Sequence, residues 1–219
     1  MTTVLKTEGL TRRFGRLVAV DDVNLEIDSA DITSIIGPNG AWKTTCYNLL
    51  AGTLEPSEGT VKLRPKGQDD LVDVTGLEPY EINRLGLSRA FQITNLFEEL
   101  TVRENIRVAR ISLEDRTTDL RAFAGGDQQL ASGAQEVIEL TGLEDVADTK
   151  CANLSHGDKR KVEIALALGT DPSVVLLDEP TAGMNRSETK RMVDLIEDLD
   201  ASTDTTFLVT EHDMEVVLG

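Results

Sequence analysis

The sequence predicts an α/β fold: a core with a mostly parallel sheet, an antiparallel β subdomain at the N-terminus and an inserted α-helical subdomain. Three observations predict it. A strand, a Gly-rich turn and a helix follow one another over residues 31 to 50. Two short, wholly apolar runs, Val174 to Leu177 and Phe207 to Val209, read as strands buried on both faces of a parallel sheet. Finally, strand-like alternation before residue 64 gives way to a helical pattern from about Thr101 to Thr141.

The elements follow in order. Val4 to Leu10 and Leu17 to Ile27 alternate like strands, with Gly15-Arg16 as a turn. Asp31-Ile32-Thr33-Ser34-Ile35-Ile36 is β-branched and apolar enough for a buried strand. A helix is expected from Lys43 to about Leu50, ending near Gly52. Thr60 to Leu63 is a further strand after Glu55-Pro56-Ser57-Glu58-Gly59, and a polar loop from Arg64 to Asp70 follows. These pieces suggest an antiparallel sheet flanking the strand that ends at Ile36. Thr101-Val102-Arg103-Glu104 is a capping box opening a helix, Ala124-Gly125-Gly126-Asp127 breaks the next segment, and Gln135 to Leu140 resumes it. Ser155 is a good N-cap for a helix running to Leu168, with Asp158 completing a capping pair. Between the two apolar runs, about Glu188 to Leu199 forms an amphipathic helix whose Met192, Leu195, Ile196 and Leu199 face the core. Glu215 to Gly219 stops in what reads as an apolar helix, so a C-terminally truncated domain is expected.

At 219 residues the chain is long enough to bury a core, and with 4% aromatic residues aliphatic side chains must fill it. It has no run of 18 apolar residues and no signal peptide, so it is expected neither to span a membrane nor to be secreted by its own sequence. Cys46 and Cys151 are expected to be reduced and structural. There are 39 acidic and 22 basic residues, a net charge of −17, and only eight of the basic residues are lysine. So acidic a surface disfavours nucleic acid and anionic lipid as direct partners. It fits adaptation to high intracellular salt, where charges are screened within about 3 Å at 1 M. An ordinary acidic cytosolic protein is the plainer alternative.

Residues 37 to 45 read Gly37-Pro38-Asn39-Gly40-Ala41-Trp42-Lys43-Thr44-Thr45. The phosphate-binding pattern is G-x-x-x-x-G-K-[ST], and Gly37, Lys43 and Thr44 satisfy it. Backbone N–H groups of such a turn and the helix N-terminus converge on phosphate oxygens. Lys43 would neutralise β- and γ-phosphate charge and Thr44 would bind Mg²⁺. Leu176-Leu177-Asp178-Glu179-Pro180 ends an apolar strand in two carboxylates. A strand beside the loop strand would deliver Asp178 to the Mg²⁺ shell, and Glu179, near the γ-phosphate, could polarise water. Taken alone, the two acids could equally be a solvated turn.

With these residues in hand, the chain resembles the ATP-binding subunits of ABC transporters. It carries the loop at Gly37 to Thr45, the acidic strand at Leu176 to Glu179, and Leu154-Ser155-His156-Gly157-Asp158 in place of that family's LSGGQ segment. Gln92 matches the Q-loop, His212 the switch histidine, and Phe14 resembles the aromatic residue that stacks on adenine. Phe91-Gln92, Leu96 to Asn105, Asp178 to Asn185 and Glu211 to Met214 are similar to the branched-chain amino acid uptake subfamily, and urea and amide uptake relatives are similar too.

The resemblance implies a P-loop NTPase core over residues 1–91 and 157–219, with the helical subdomain at 92–156. It implies a head-to-tail dimer, of like or unlike ATP-binding subunits, and permease subunits at the cytoplasmic face of the membrane. An external solute-binding protein would act indirectly. Each ATP would lie between one chain's loop and the other's Ser155 and Gly157. Glu179 would be the general base, His212 would contact the γ-phosphate, and Gln92 would join the Mg²⁺ site to the helical segment.

Trp42 stands where the pattern demands glycine. A non-glycine residue in a left-handed conformation costs about 1–2 kcal/mol, and an indole beside the phosphate cradle should collide with nucleotide or swing the loop away. The expectation is therefore impaired ATP binding. Four readings stay open: a substitution in an otherwise normal transporter ATPase, a structural subunit that has lost ATP binding, an ATPase that turns Trp42 outward, or a soluble relative acting on DNA or ribosomes.

Overall fold

A computed structural model of the chain describes residues 2–29, 32–38, 40–90, 96–113 and 128–211. Within them the mixed architecture is as the sequence predicts. Strands β1 (Thr3–Phe14), β2 (Leu17–Val23), β3 (Glu26–Asp28), β4 (Thr33–Ile36), β5 (Glu58–Leu63), β6 (Val72–Asp73), β7 (Leu87–Ala90), β8 (Val174–Asp178) and β9 (Thr206–Glu211) form two sheets. Helices α1 (Lys43–Leu50), α2 (Pro79–Arg84), α3 (Val102–Leu113), α4 (Gln128–Leu140), α5 (His156–Gly169) and α6 (Arg186–Ser202) pack with them. The antiparallel sheet has the order β2-β1-β5-β6, with β3 also paired to β1, and the parallel sheet has the order β4-β9-β8-β7.

The apolar runs explain the layering. Side chains alternate across a strand, so Val174 and Leu176 of β8 enter one core while Val175 and Leu177 enter the other. β9 does the same, with Leu208 on one side and Phe207 and Val209 on the other. One core joins these strands to the antiparallel sheet and α1, and the second joins them to the helices α3 to α6. A strand covered on both faces has no use for polar positions, which is why neither run alternates. The cores are chiefly aliphatic. Tyr47 and Phe207 are the largest fully buried side chains, and Tyr47 donates its hydroxyl to the Leu208 carbonyl oxygen at 2.7 Å. Cys46 and Cys151 are both buried free thiols.

Several expectations are corrected. The strand ending at Ile36 is an edge of the parallel sheet among the described residues, so β4 is half-exposed rather than buried, and Ile36 is 41% exposed. The acidic strand β8 does not lie beside it, because β9 runs between them. β1 runs on to Phe14, which pairs with Leu17 across a two-residue turn. The helix expected from Gln135 already begins at Gln128. Helix α2, with Glu78 and Glu81 forming its capping box around Pro79, and the parallel strand β7 were not anticipated. The Thr101–Glu104 box forms as read, with Thr101 N–H on Glu104 at 2.8 Å and Glu104 N–H on Thr101 at 3.2 Å. In α6, Met192, Ile196 and Leu199 are buried and Leu195 packs against the same core.

Candidate functional site

The loop between β4 and α1 closes on itself. Ala41 N–H donates to the Pro38 carbonyl oxygen at 3.1 Å, and Trp42, as N-cap of α1, offers its carbonyl to Cys46 N–H at 3.0 Å. Trp42 adopts φ 58° and ψ 20°, the left-handed region that glycine takes at no steric cost. Its side chain caps nothing. The indole is 41% exposed and lies against Phe14, with ring centroids 6.5 Å apart and planes inclined at 31°. Phe14, at the end of β1, is 43% exposed, and the Arg12 guanidinium covers it at 4.8 Å from the ring centroid. The indole thus takes the outward arrangement, and the aromatic residue expected to stack on adenine is its neighbour.

Lys43 opens α1 and is buried. Its ammonium donates to the carbonyl oxygens of Gly37 and Pro38 and stands 4.0 Å from a Glu179 carboxylate oxygen. Thr44 is exposed and Thr45 half-buried in the first turn, where helix N–H groups lack intrahelical acceptors. Gly40 is left-handed at φ 85°, with open space where a Cβ would stand. Asn39 lies outside the described residues.

β8 brings Asp178 and Glu179 to this loop. Asp178 accepts from Thr210 Oγ1 at 2.8 Å and from Arg89 Nη2 at 2.8 Å. Arg89 also donates to Asn48 Oδ1 of α1 at 2.6 Å. Burial pushes the guanidinium pKa down, against the Asp178 bond that raises it. Burial likewise pushes Tyr47 up, with the Asp178 charge adding to it. Glu179 is itself left-handed at φ 50°, its N–H bonded to the carbonyl and hydroxyl oxygens of Thr210 at 3.1 and 3.2 Å. Such conformations in non-glycine residues cluster at functional sites.

Ser155 caps α5, accepting from Asp158 N–H at 3.1 Å. A Cβ added at Gly157 would meet only Ser155 Oγ, at 4.0 Å, so this helix end is open. Among the described residues no hydrogen bond or ion pair joins Ser155 or Gly157 to the loop at 37–45. Gln92 and His212 lie outside the described residues. Sequence reasoning missed Arg89, whose contact with Asp178 spans 89 residues of chain, and Asn185, which caps α6 by accepting from Ser187 and Glu188 N–H at 3.0 and 3.1 Å. The Asn185-to-Glu188 spacing is a capping-box signal that could have revealed the second.

The ABC transporter family model matches residues 20–182. The chain belongs to that family. It is similar to the high-affinity branched-chain amino acid transport ATP-binding protein LivG of Salmonella typhimurium, at 40% identity over 99% of this chain and 84% of that protein. The probable LivG of Methanocaldococcus jannaschii is 32% identical over 99% of this chain and 82% of its own length. Among solved structures, the ADP conformation of an ATP-binding cassette of an ABC transporter superposes with a TM-score of 0.83 at 31% identity, covering 100% of this chain and 84% of that one. The family is one of ATPases coupled to transport, and its members bind ATP or ADP. Dimers are known in it. Among the described residues no helix is long and apolar enough to cross a membrane.

Proposed function

We propose that this chain is the ATP-binding subunit of an importer for branched-chain amino acids, working with permease subunits at the cytoplasmic face of the membrane. One observation carries the site: the loop lysine, Lys43, faces the carboxylate pair at the end of β8, 4.0 Å from Glu179. Lys43 would exchange the loop carbonyls for phosphate oxygens. The first-turn N–H groups of α1, including those of Thr44 and Thr45, would hold the remaining phosphate charge. Glu179 would take the proton of the attacking water. The hydroxyl of Thr44 and the carboxylate of Asp178 are hard oxygen donors suited to Mg²⁺. Thr44 and Asp178 would hold the ion, which would supply positive charge to offset that of the phosphates.

Residues 92–156 would be the helical subdomain that meets the permease, with Gln92 linking it to the metal site and His212 contacting the γ-phosphate. Ser155 and Gly157 would serve the nucleotide of a second copy or a related subunit, in keeping with their exposed helix end. The external solute-binding protein would couple through the permease. Trp42 would weaken ATP binding by holding the face of Phe14 that a base needs, more than by invading the phosphate cradle. The acidic surface would be an adaptation to high salt.

Equilibrium dialysis with ATP tests the assignment. Glu179→Gln should retain ATP and lose at least about 100-fold in hydrolysis, whereas Lys43→Ala should lose binding. Equal ATP binding by the parent and Lys43→Ala would overturn the assignment.

A further inference from the structure

We infer that Arg89 is the resident counter-ion of the metal carboxylate and thereby sets the affinity of this site for a divalent cation. The inference rests on the proposed Mg²⁺-nucleotide site. Its ground is a bridge across three elements: from the end of β7, Arg89 donates one terminal nitrogen to Asp178 of β8 at 2.8 Å and the other to Asn48 of α1 at 2.6 Å. The two charged side chains are only 9% and 10% exposed. Water therefore screens this pair little, and a second cation brought to Asp178 must share its carboxylate with a guanidinium already in place. Asp178 has lone pairs to spare, since a carboxylate offers about four acceptor sites and, among the described residues, Arg89 and Thr210 are bonded to it. Sharing is thus geometrically open but electrostatically opposed.

This gives Arg89 a sign. A residue that merely supported the fold would, on removal, leave metal binding weaker or unchanged. A competing cation, on removal, leaves it tighter. Arg89→Gln keeps hydrogen-bonding groups for Asn48 and Asp178 but no charge. Asn48→Asp keeps Arg89 and draws its charge toward α1. Arg89→Lys retains the charge and controls for lost geometry.

The test is Mn²⁺ titration of the full chain in saturating ATP, with free Mn²⁺ read by its electron paramagnetic resonance signal. Bound ATP is measured by radiolabel in the same samples, and folding by thermal melts. Mn²⁺ should bind about tenfold tighter to Arg89→Gln and a few-fold tighter to Asn48→Asp, with Arg89→Lys near the parent. If Arg89→Gln does not fold, Asn48→Asp carries the same prediction. Unchanged or weaker Mn²⁺ binding in the folded variants, with ATP bound, overturns the role of Arg89 and leaves the nucleotide site standing. Absence of bound ATP in the parent overturns both.

Discussion

Replacing Trp42 with glycine separates two ways in which this side chain can interfere with ATP. Consider first the protein alone. At φ 58° the indole-bearing residue carries a left-handed penalty of about 1–2 kcal/mol, which glycine removes. The substitution also loses the tilted contact with Phe14, about 0.5–1.5 kcal/mol, and makes the unfolded chain more flexible, about 0.4–1 kcal/mol. These contributions nearly cancel, so the melting temperature of Trp42→Gly should stay within about 4 °C of the parent. Nucleotide binding should not cancel. A base that stacks on Phe14 must first part the two rings, and Trp42→Gly abolishes that cost, which alone is worth about three- to tenfold in affinity. Inorganic triphosphate has no base and does not need Phe14, so its affinity should change less than about twofold. Titration calorimetry of both proteins with ATP and with triphosphate measures all four affinities. If triphosphate gains as much as ATP, the indole obstructs the phosphates and the stacking argument is wrong. If neither gains, Trp42 is no obstacle at all.

Two further outcomes follow from charge and burial. Among the described residues seven of the eight lysines are engaged by carboxylates, yet the 39 acids outnumber the 22 basic residues by 17, so a large share of the acidic charge has no basic residue to match it. Raising KCl from about 0.1 to 1 M shortens the screening length from about 10 to 3 Å and should raise the melting temperature by about 5 °C or more; a melting temperature indifferent to KCl would remove the salt-adaptation reading. The Cys46 thiol is pushed up to about 11 by burial, whereas an unfolded cysteine titrates near 8.5. A raised folded pKa adds stability that is complete below the unfolded value and is lost as pH climbs through the folded one. The unfolding free energy from urea titration should therefore fall between about pH 8.5 and 11, by about 3 kcal/mol more for the parent than for Cys46→Ala. Parallel pH profiles for the two proteins would contradict it.

What the sequence disclosed, and what it hid, has a common physical cause. Properties that depend on neighbours in the chain were readable. The runs at β8 and β9 told of burial on both faces, and the boxes at Thr101 and Ser155 told where helices begin, because each signal lies within one element. Properties that depend on distant partners were not. Leu87-Ser88-Arg89-Ala90 did not read as a buried strand because it contains a full charge, and that charge is tolerated only through Asp178, 89 residues away. β4 read as buried from its own composition, but its exposure is decided by which strand pairs with it and on which side. Trp42 shows the same division. Its unsuitability for a glycine position was plain from the pattern, yet where the indole would go was not, since that depends on Phe14 at the far end of β1.

Trp42 and Glu179 are two of four non-glycine residues with positive φ among the described residues, and Lys43, adjacent to one, stands 4.0 Å from a carboxylate oxygen of the other. Two backbone penalties so close together are retained only where the surrounding bonds over-determine them. For Glu179 those bonds are visible in Thr210, which holds both its N–H and the neighbouring Asp178. For Trp42 no side-chain cap bond compensates among the described residues, and the contact with Phe14 is the compensation on view there. The strain at Glu179 is thus built into the sheet end that presents the acids. The strain at Trp42 is held by a surface contact with Phe14, which nucleotide would have to break if its base stacks on Phe14 as proposed.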